Sequence, residues 1–292
     1  MFEISRTVVS MSTAGVLVLA AGIAARRRGL TSGSLPDRAI ALGRIFVAAP
    51  LATFGALHLA AAQGLKGMVP TYLPWPLFWV YIVGFALIAT ALSLIFDRLV
   101  RWSGLLCGAM FLLFVAMLDI PGVIAQQHDR FGFALLARET AFGCGLLALG
   151  ASAGLRCSSL TRLVTPCRIA FALVALFYGV EHFLHPIARP GVPLQQLMPE
   201  WIPGRPVIGY LTGALLVVAG VAMVLDKKAR LAATYLGTWI VLLVVFIYGP
   251  ILIASLADPS AGVEIEGINY FADTMLFAGA ILALAKATPR AE

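Results

Sequence analysis

The sequence predicts an all-α, polytopic membrane protein: two tandem four-helix transmembrane bundles in parallel orientation, preceded by one N-terminal transmembrane helix, about nine spans in all. Three observations predict it. The chain has 292 residues, of which 61% are apolar and only 12% charged, against about 45–50% and 25% in water-soluble chains. Apolar runs long enough to cross a bilayer of about 30 Å of hydrocarbon recur along its whole length. Finally, the second half of the chain repeats the first.

Taken in order, the first run lies near residues 7–25, within an N-terminal anchor over 1–30. A cleaved signal peptide is the alternative, because the run is short and ends in Gly22, Ala24 and Ala25. Arg6 before the run against Arg26, Arg27 and Arg28 after it favours a retained anchor with its N-terminus outside. Runs near 40–62, 77–96, 103–120 and 133–153 make the first unit, residues 40–154. Runs near 168–184, 206–225, 231–252 and 268–285 make the second, residues 165–287. Connections are short. The longest, from about His185 to Arg205, carries Pro186, Pro190, Pro193, Pro199 and Pro203 and cannot be helical throughout.

The formal charge of +7 reads as a topology signal rather than a nucleic-acid footprint. With Arg26–Arg28 in the cytoplasm, fifteen of the 21 basic residues fall on that side: Arg26, Arg27, Arg28, Arg38, Arg44, Arg98, Arg101, Arg156, Arg162, Arg168, Lys227, Lys228, Arg230, Lys286 and Arg290. Arg6, Lys66, Arg130, Arg138, Arg189 and Arg205 fall outside. The expectation is a bacterial-type cytoplasmic (inner) membrane, with the N-terminus outside and the C-terminus cytoplasmic. The inner residues Arg44, Arg168, Asp97 and Asp226 are expected to set orientation and solvate loops.

The duplication is specific in its spacing. Arg44, Gly55 and His58 match Arg168, Gly179 and His182. After a five-residue insertion in the second copy, Pro70, Pro74, Tyr81, Gly84, Asp97, Arg101, Gly108, Pro121, Asp129 and Phe142 match Pro199, Pro203, Tyr210, Gly213, Asp226, Arg230, Gly237, Pro250, Asp258 and Phe271. Four spans per copy is an even number, so both copies enter the membrane in the same sense. Gly104-x-x-x-Gly108 and Gly150-x-x-x-Gly154 suit close helix contacts within the chain or in a dimer.

Several chemistries have no support. The P-loop, dinucleotide-fold, nucleophile-elbow and zinc-protease signatures are absent. Cys107, Cys144, Cys157 and Cys167 form no C-x-x-C pair and read as packing residues. No firm metal or haem signature exists, although His58, His182 and His185 are a conceivable ligand set.

The residues that could carry chemistry gather toward the outer ends of the spans. His58, His128, His182 and His185 all fall there. His182 and His185 are expected to share a helix face, with Glu181 pairing His185. Asp119, Glu139 and Asp273 lie inside spans, where ionisable groups are costly and therefore functional candidates. Arg138 adjoins Glu139 but points elsewhere, so its ion pair needs a residue of another helix. The matching segments Val69–Pro74 and Met198–Pro203, with Tyr72, Trp75, Trp79 and Trp201, read as irregular stretches at the outer interface, either anchors or lids over a lipid-side cavity.

The stretch Gly179-Val180-Glu181-His182-Phe183-Leu184-His185-Pro186, then Met198-Pro199-Glu200-Trp201-Ile202-Pro203, Gly213 and Pro250, resembles the DoxX-like integral membrane proteins. Gly55, His58, Pro70, Pro74, Gly84 and Pro121 carry a weaker form of the pattern. The family usually has one four-helix unit where this chain has two and an added N-terminal span. The resemblance implies association with redox enzymes, since described members serve thiosulfate oxidation by quinone, partner oxidative-stress enzymes, or help mature a periplasmic dehydrogenase. The expected function is a redox-associated accessory subunit that binds a quinone or lipid near the outer leaflet through His58, Asp119, Glu139, His182, His185, Trp201 and Asp273. A quinone-linked oxidoreductase using His182, Glu181 and His58 is the alternative, and a small-solute transporter a third. Expected partners are the lipid bilayer and other subunits of a membrane redox complex, with no nucleic acid.

Overall fold

The computed structural model describes residues 6–153, 159–191 and 196–289. Gly154, Arg156, Cys157, Pro193 and Arg290, each singled out above, lie outside the described residues. Among the described residues the protein is all-α, with nine helices long and apolar enough to cross a membrane. We number them α1 (Arg6–Thr31), α2 (Leu35–Ala60), α3 (Pro76–Phe96), α4 (Val100–Ala125), α5 (Arg130–Ser152), α6 (Val164–Leu184), α7 (Arg205–Val224), α8 (Ala229–Leu256) and α9 (Ala261–Ala287). The protein is a multi-pass membrane protein.

Local sequence explains the helix boundaries. Ser34 caps α2 by accepting the Asp37 amide, and Asp129 caps α5 by accepting the amides of Phe131 and Gly132. Pro76 and Pro206 occupy the first turns of α3 and α7, where a missing amide costs nothing. The apolar runs were read as ending near 120 and 252, and α4 and α8 continue past Pro121 and Pro250 to Ala125 and Leu256. A five-residue π turn precedes each proline, Val115–Asp119 and Val244–Tyr248, widening the helix where the ring would strike a carbonyl one turn back.

These π turns are separated by the same 129 positions as the sequence matches. So are the left-handed residues Asp97 and Asp226, Leu99 and Lys228, and Trp75 and Gly204. The backbone carries the repeat. Within it, α2 to α5 correspond to α6 to α9.

Packing runs across the two copies as well as within them. α2 lies against α3 but also against α9, and α6 lies against α7 but also against α5. Thus the first helix of each copy abuts the last helix of the other, while α5 and α9 meet at the centre. Small residues permit these approaches. A Cβ on Gly145 would stand 2.7 Å from the Ala280 Cα, and one on Gly279 would stand 2.6 Å from the Val47 amide nitrogen. Central α9 is accordingly buried on all sides, with Leu276, Phe277, Ile281 and Leu284 fully enclosed. α1 packs antiparallel to α2, with Gly22 on Ile45 and Gly29 on Ala41. The bundle's outer surface exposes Leu17, Phe85, Leu106, Phe246 and Ile253, a coat suited to lipid.

Candidate functional site

The two proline-broken connections differ. In the first copy, residues 61–75 form two short helical turns and leave Met68, Tyr72 and Trp75 exposed, as an interfacial anchor would. In the second, residues 185–191 and 196–204 turn into the bundle. Ala188 and Leu197 form an antiparallel bridge, the Arg189 amide donates to the Gln196 carbonyl at 2.8 Å, and Ala188, Pro190, Gly191, Met198 and Ile202 are buried. This segment is a plug rather than the expected surface stretch. Gly191 makes it possible: its φ of +97° suits glycine, and a Cβ would meet the Thr274 side chain at 3.3 Å.

His182 holds the plug. Its side chain is completely buried, its Nε2 accepts the Gly191 amide at 2.9 Å, and its Nδ1 lies 2.6 Å from the Tyr178 carbonyl. An accepting Nε2 places the proton of a neutral ring on Nδ1, so both nitrogens are committed to backbone groups. From α8, the Tyr248 hydroxyl donates to the Pro190 carbonyl at 2.7 Å. This corrects the sequence reading in two ways. Helix α6 ends at Leu184, so His185 is a cap residue with φ −133° and an exposed side chain, sharing no face with His182. Glu181 pairs with Arg130 at 2.5 Å instead of His185.

His58 occupies the matching place in the first copy. Its Nδ1 lies 2.8 Å from the Phe54 carbonyl, reproducing the His182–Tyr178 bond, but the side chain is half-buried and, among the described residues, no loop amide meets its Nε2. The helices carrying His58 and His182 do not touch, so the conceivable His58, His182 and His185 ligand set is not assembled. Trp201 is exposed at the loop surface, apart from the buried groups.

Deeper in the bundle, at the contact of α5 with α9, Arg138 Nη1 donates to Asp273 Oδ2 at 2.7 Å, and its Nη2 lies 3.6 Å from Glu139 Oε1. The hydrogen-bonded counterion, Asp273, comes from another helix, as expected, but Glu139 also pairs with Arg138, contrary to the reading that these neighbouring side chains point apart. Asp119, the last residue of the α4 π turn, lies within electrostatic reach of both Arg138 and Glu139. Two carboxylates therefore pair with one guanidinium, and a third lies within its electrostatic reach. Arg138 Nε, Glu139 Oε2 and Asp119 Oδ2 are buried without a hydrogen-bond partner. The cluster was expected near the outer rim, but Asp273 is the thirteenth of the 27 residues of α9 and stands at mid-helix.

The copies meet in one further correspondence. Asp119 and Tyr248 end the two π turns and occupy equivalent positions. In the second copy Tyr248 and His182 are bonded to the plug; in the first the equivalent Asp119 retains an unbonded oxygen and His58 an open nitrogen edge.

Residues 47–127 match a domain of unknown function (DUF8561). That segment runs from the middle of α2 through α4 and includes His58 and Asp119. No curated protein matches the chain, and no solved structure does.

Sequence reasoning did not select Tyr178, Gly191 or Tyr248, and it placed Arg138 in an interhelical ion pair without naming its partner. The repeat carried a usable signal for Tyr248, which aligns with the already selected Asp119. Arg44–Asp97 and Arg168–Asp226 are ion pairs, one in each copy, beyond the orienting role expected of them. Cys107, Cys144 and Cys167 are buried free thiols, and those of Cys144 and Cys167 hydrogen-bond across the α5–α6 contact.

Proposed function

We propose that this is a DoxX-like membrane protein that binds the polar head of a hydrophobic molecule, a quinone or a lipid, in its first copy and serves a redox complex of a bacterial-type inner membrane. The observation that carries the reading is the pairing of a filled site with an unbonded one. In the second copy the plug supplies an amide to His182 and a carbonyl to Tyr248. In the first, Asp119 Oδ2, Glu139 Oε2 and Arg138 Nε remain without hydrogen-bond partners among the described residues, and buried polar atoms left unpaired cost about 1–3 kcal/mol each. A head group with both donor and acceptor atoms relieves that cost.

A quinone head fits this donor set. Arg138 Nε donates to a carbonyl oxygen, and the Asp119 and Glu139 carboxylates accept from a hydroxyl in the reduced form. Bound there, the quinone would supply two-electron redox chemistry to a partner. The chain's own residues orient the head and hold charge around it. A proton-handling role for His182 and Glu181 loses support, since one is bonded on both ring nitrogens and the other is paired with Arg130.

Gently purified protein is expected to retain quinone or a defined lipid above the detergent background, measured by mass spectrometry of the extract. The Asp119→Asn/Glu139→Gln protein is expected to lose it. Equal retention by the two proteins refutes the site. Orientation follows the basic residues: labelling from outside intact cells is expected at Arg189→Cys and not at Lys227→Cys.

A transport reading has one observation in its favour, the mid-helix depth of Asp273 with Arg138, because alternating access needs a midplane site. Pyranine-loaded proteoliposomes separate the two: a proton flux abolished by Asp273→Asn favours transport over head-group binding.

A further inference from the structure

The basic ends of α1, α2, α8 and α9 enclose a cavity of about 440 Å³ lined by Arg26, Arg28, Arg44, Arg230, Lys286 and Asp37, among others. We infer that this cavity is a binding site for a phosphate ester. Five cations converge on it from four helices. Two acids answer them, Asp37 on the wall and Asp97, which pairs with Arg44 and lies 3.8 Å from Arg26. Among the described residues, cations therefore outnumber acids around this concavity.

Several of these side chains are already positioned. Arg26 donates to the Leu94 carbonyl at 3.2 Å, and Arg230 to the carbonyls of Lys286 and Thr288 at 3.4 and 3.2 Å. Lys286 interacts electrostatically with Arg26, Arg44 and Arg230, three like charges, and with Asp97 as the one acid. Such an arrangement is self-repelling until an anion enters. Moreover, the Nε atoms of Arg26 and Arg44 are buried without an acceptor. An anion with several oxygens satisfies these donors and the excess charge at once, and planar guanidinium groups match phosphate geometry. Arg44 belongs to the repeat, with Arg168 as its counterpart, but Arg26 and Arg28 come from α1, which has no counterpart beside Arg168 among the described residues. The added N-terminal helix thus completes one site rather than two.

The site lies at helix ends and not in the apolar centre, which suits the head group of an anionic phospholipid; a soluble phosphate offers the same chemistry. This inference is independent of the quinone reading, because no residue is shared.

The test is native mass spectrometry of the full-length protein in a non-ionic detergent, titrated with phosphatidylglycerol, phosphatidylcholine or inorganic phosphate. One tightly held phosphatidylglycerol is expected. The Arg26→Gln/Arg28→Gln/Lys286→Gln protein is expected to bind it roughly a hundredfold more weakly, and Arg28→Gln alone about fivefold more weakly. Arg28 is exposed, so its single variant tests the site without disturbing packing. Arg162→Gln/Lys227→Gln/Lys228→Gln removes the same charge from exposed positions at the same end and is expected to bind as the native protein does. If inorganic phosphate displaces the lipid at millimolar concentration, the site is a general phosphate site. If only the lipid binds, it is a head-group site. Equal affinity in the pocket variant and the native protein, or equal binding of phosphatidylcholine and phosphatidylglycerol, overturns the inference.

Discussion

His182 is the residue whose replacement discriminates most sharply between a structural and a catalytic role. In His182→Ala, the Gly191 amide is left buried without an acceptor, a loss of about 2 kcal/mol. Removing a side chain with no exposed surface leaves a cavity costing about 2–3 kcal/mol more. The expected destabilisation is therefore about 4–5 kcal/mol. His58→Ala, at the matching position of the first copy, removes a half-buried ring with no loop amide on it and is expected to cost about 1 kcal/mol. Thermal unfolding in detergent measures both, and hydrogen exchange at residues 186–191 reports whether the plug has loosened. His182→Gln, whose side-chain oxygen reaches close to the position of Nε2, is expected to restore part of the loss. If His182→Ala costs no more than His58→Ala, or if exchange in the plug is unchanged, the latch is not what the geometry says it is.

Other perturbations follow from the same structure. Arg138→Ala leaves Asp119, Glu139 and Asp273 without their cation and is expected to cost about 3–5 kcal/mol in thermal unfolding; Asp273→Ala, which leaves Glu139 beside Arg138, is expected to cost less. Gly145→Leu sets a Cβ against the Ala280 backbone and is expected to destabilise by about 3 kcal/mol or to prevent folding, whereas Gly64→Leu, which faces open space, leaves the unfolding temperature unchanged. Outside the spans, burial raises the Asp97 pKa, but the Arg44 charge and hydrogen bond, with Arg26 and Lys286, outweigh it and hold the carboxyl below its ordinary 3.8. Its stabilising contribution is therefore present above that value and is lost as pH falls through the lower folded one. Asp97→Asn is therefore expected to remove part of the acid-induced decline of the unfolding temperature below about pH 4.

Helix number, span positions and the repeat were legible because each rests on short-range chemistry. Apolar runs of bilayer length need no knowledge of neighbours, and the matches from Arg44 with Arg168 to Phe142 with Phe271 are visible in the letters alone. The matching π turns before Pro121 and Pro250 were not foreseen, although both prolines were in view, because a wide turn and a helix stop are both answers to a missing amide. The site was legible in part. Asp119, Glu139 and Asp273 were selected by their cost in an apolar run and His182 by its place at the outer end of its span, but neither signal names a partner. Arg138 was expected to pair with a residue of another helix, but only the structure named Asp273 as that residue. His185 and Trp201 were selected by proximity in sequence, and the end of α6 at Leu184 separated them from it.

From its residues alone this chain was bound to be a helical membrane protein built twice, because burying backbone polar groups in hydrocarbon leaves the helix as the local solution. Tertiary structure decided the rest: that α5 and α9 meet at the centre, that one proline-rich connection turns inward while its counterpart stays out, and that one histidine is sealed while its twin keeps an edge open. Those outcomes depend on which side chains from distant segments meet. Five inserted residues in the second connection and glycines such as Gly145 and Gly191 settle that through space, where no sequence period can report it.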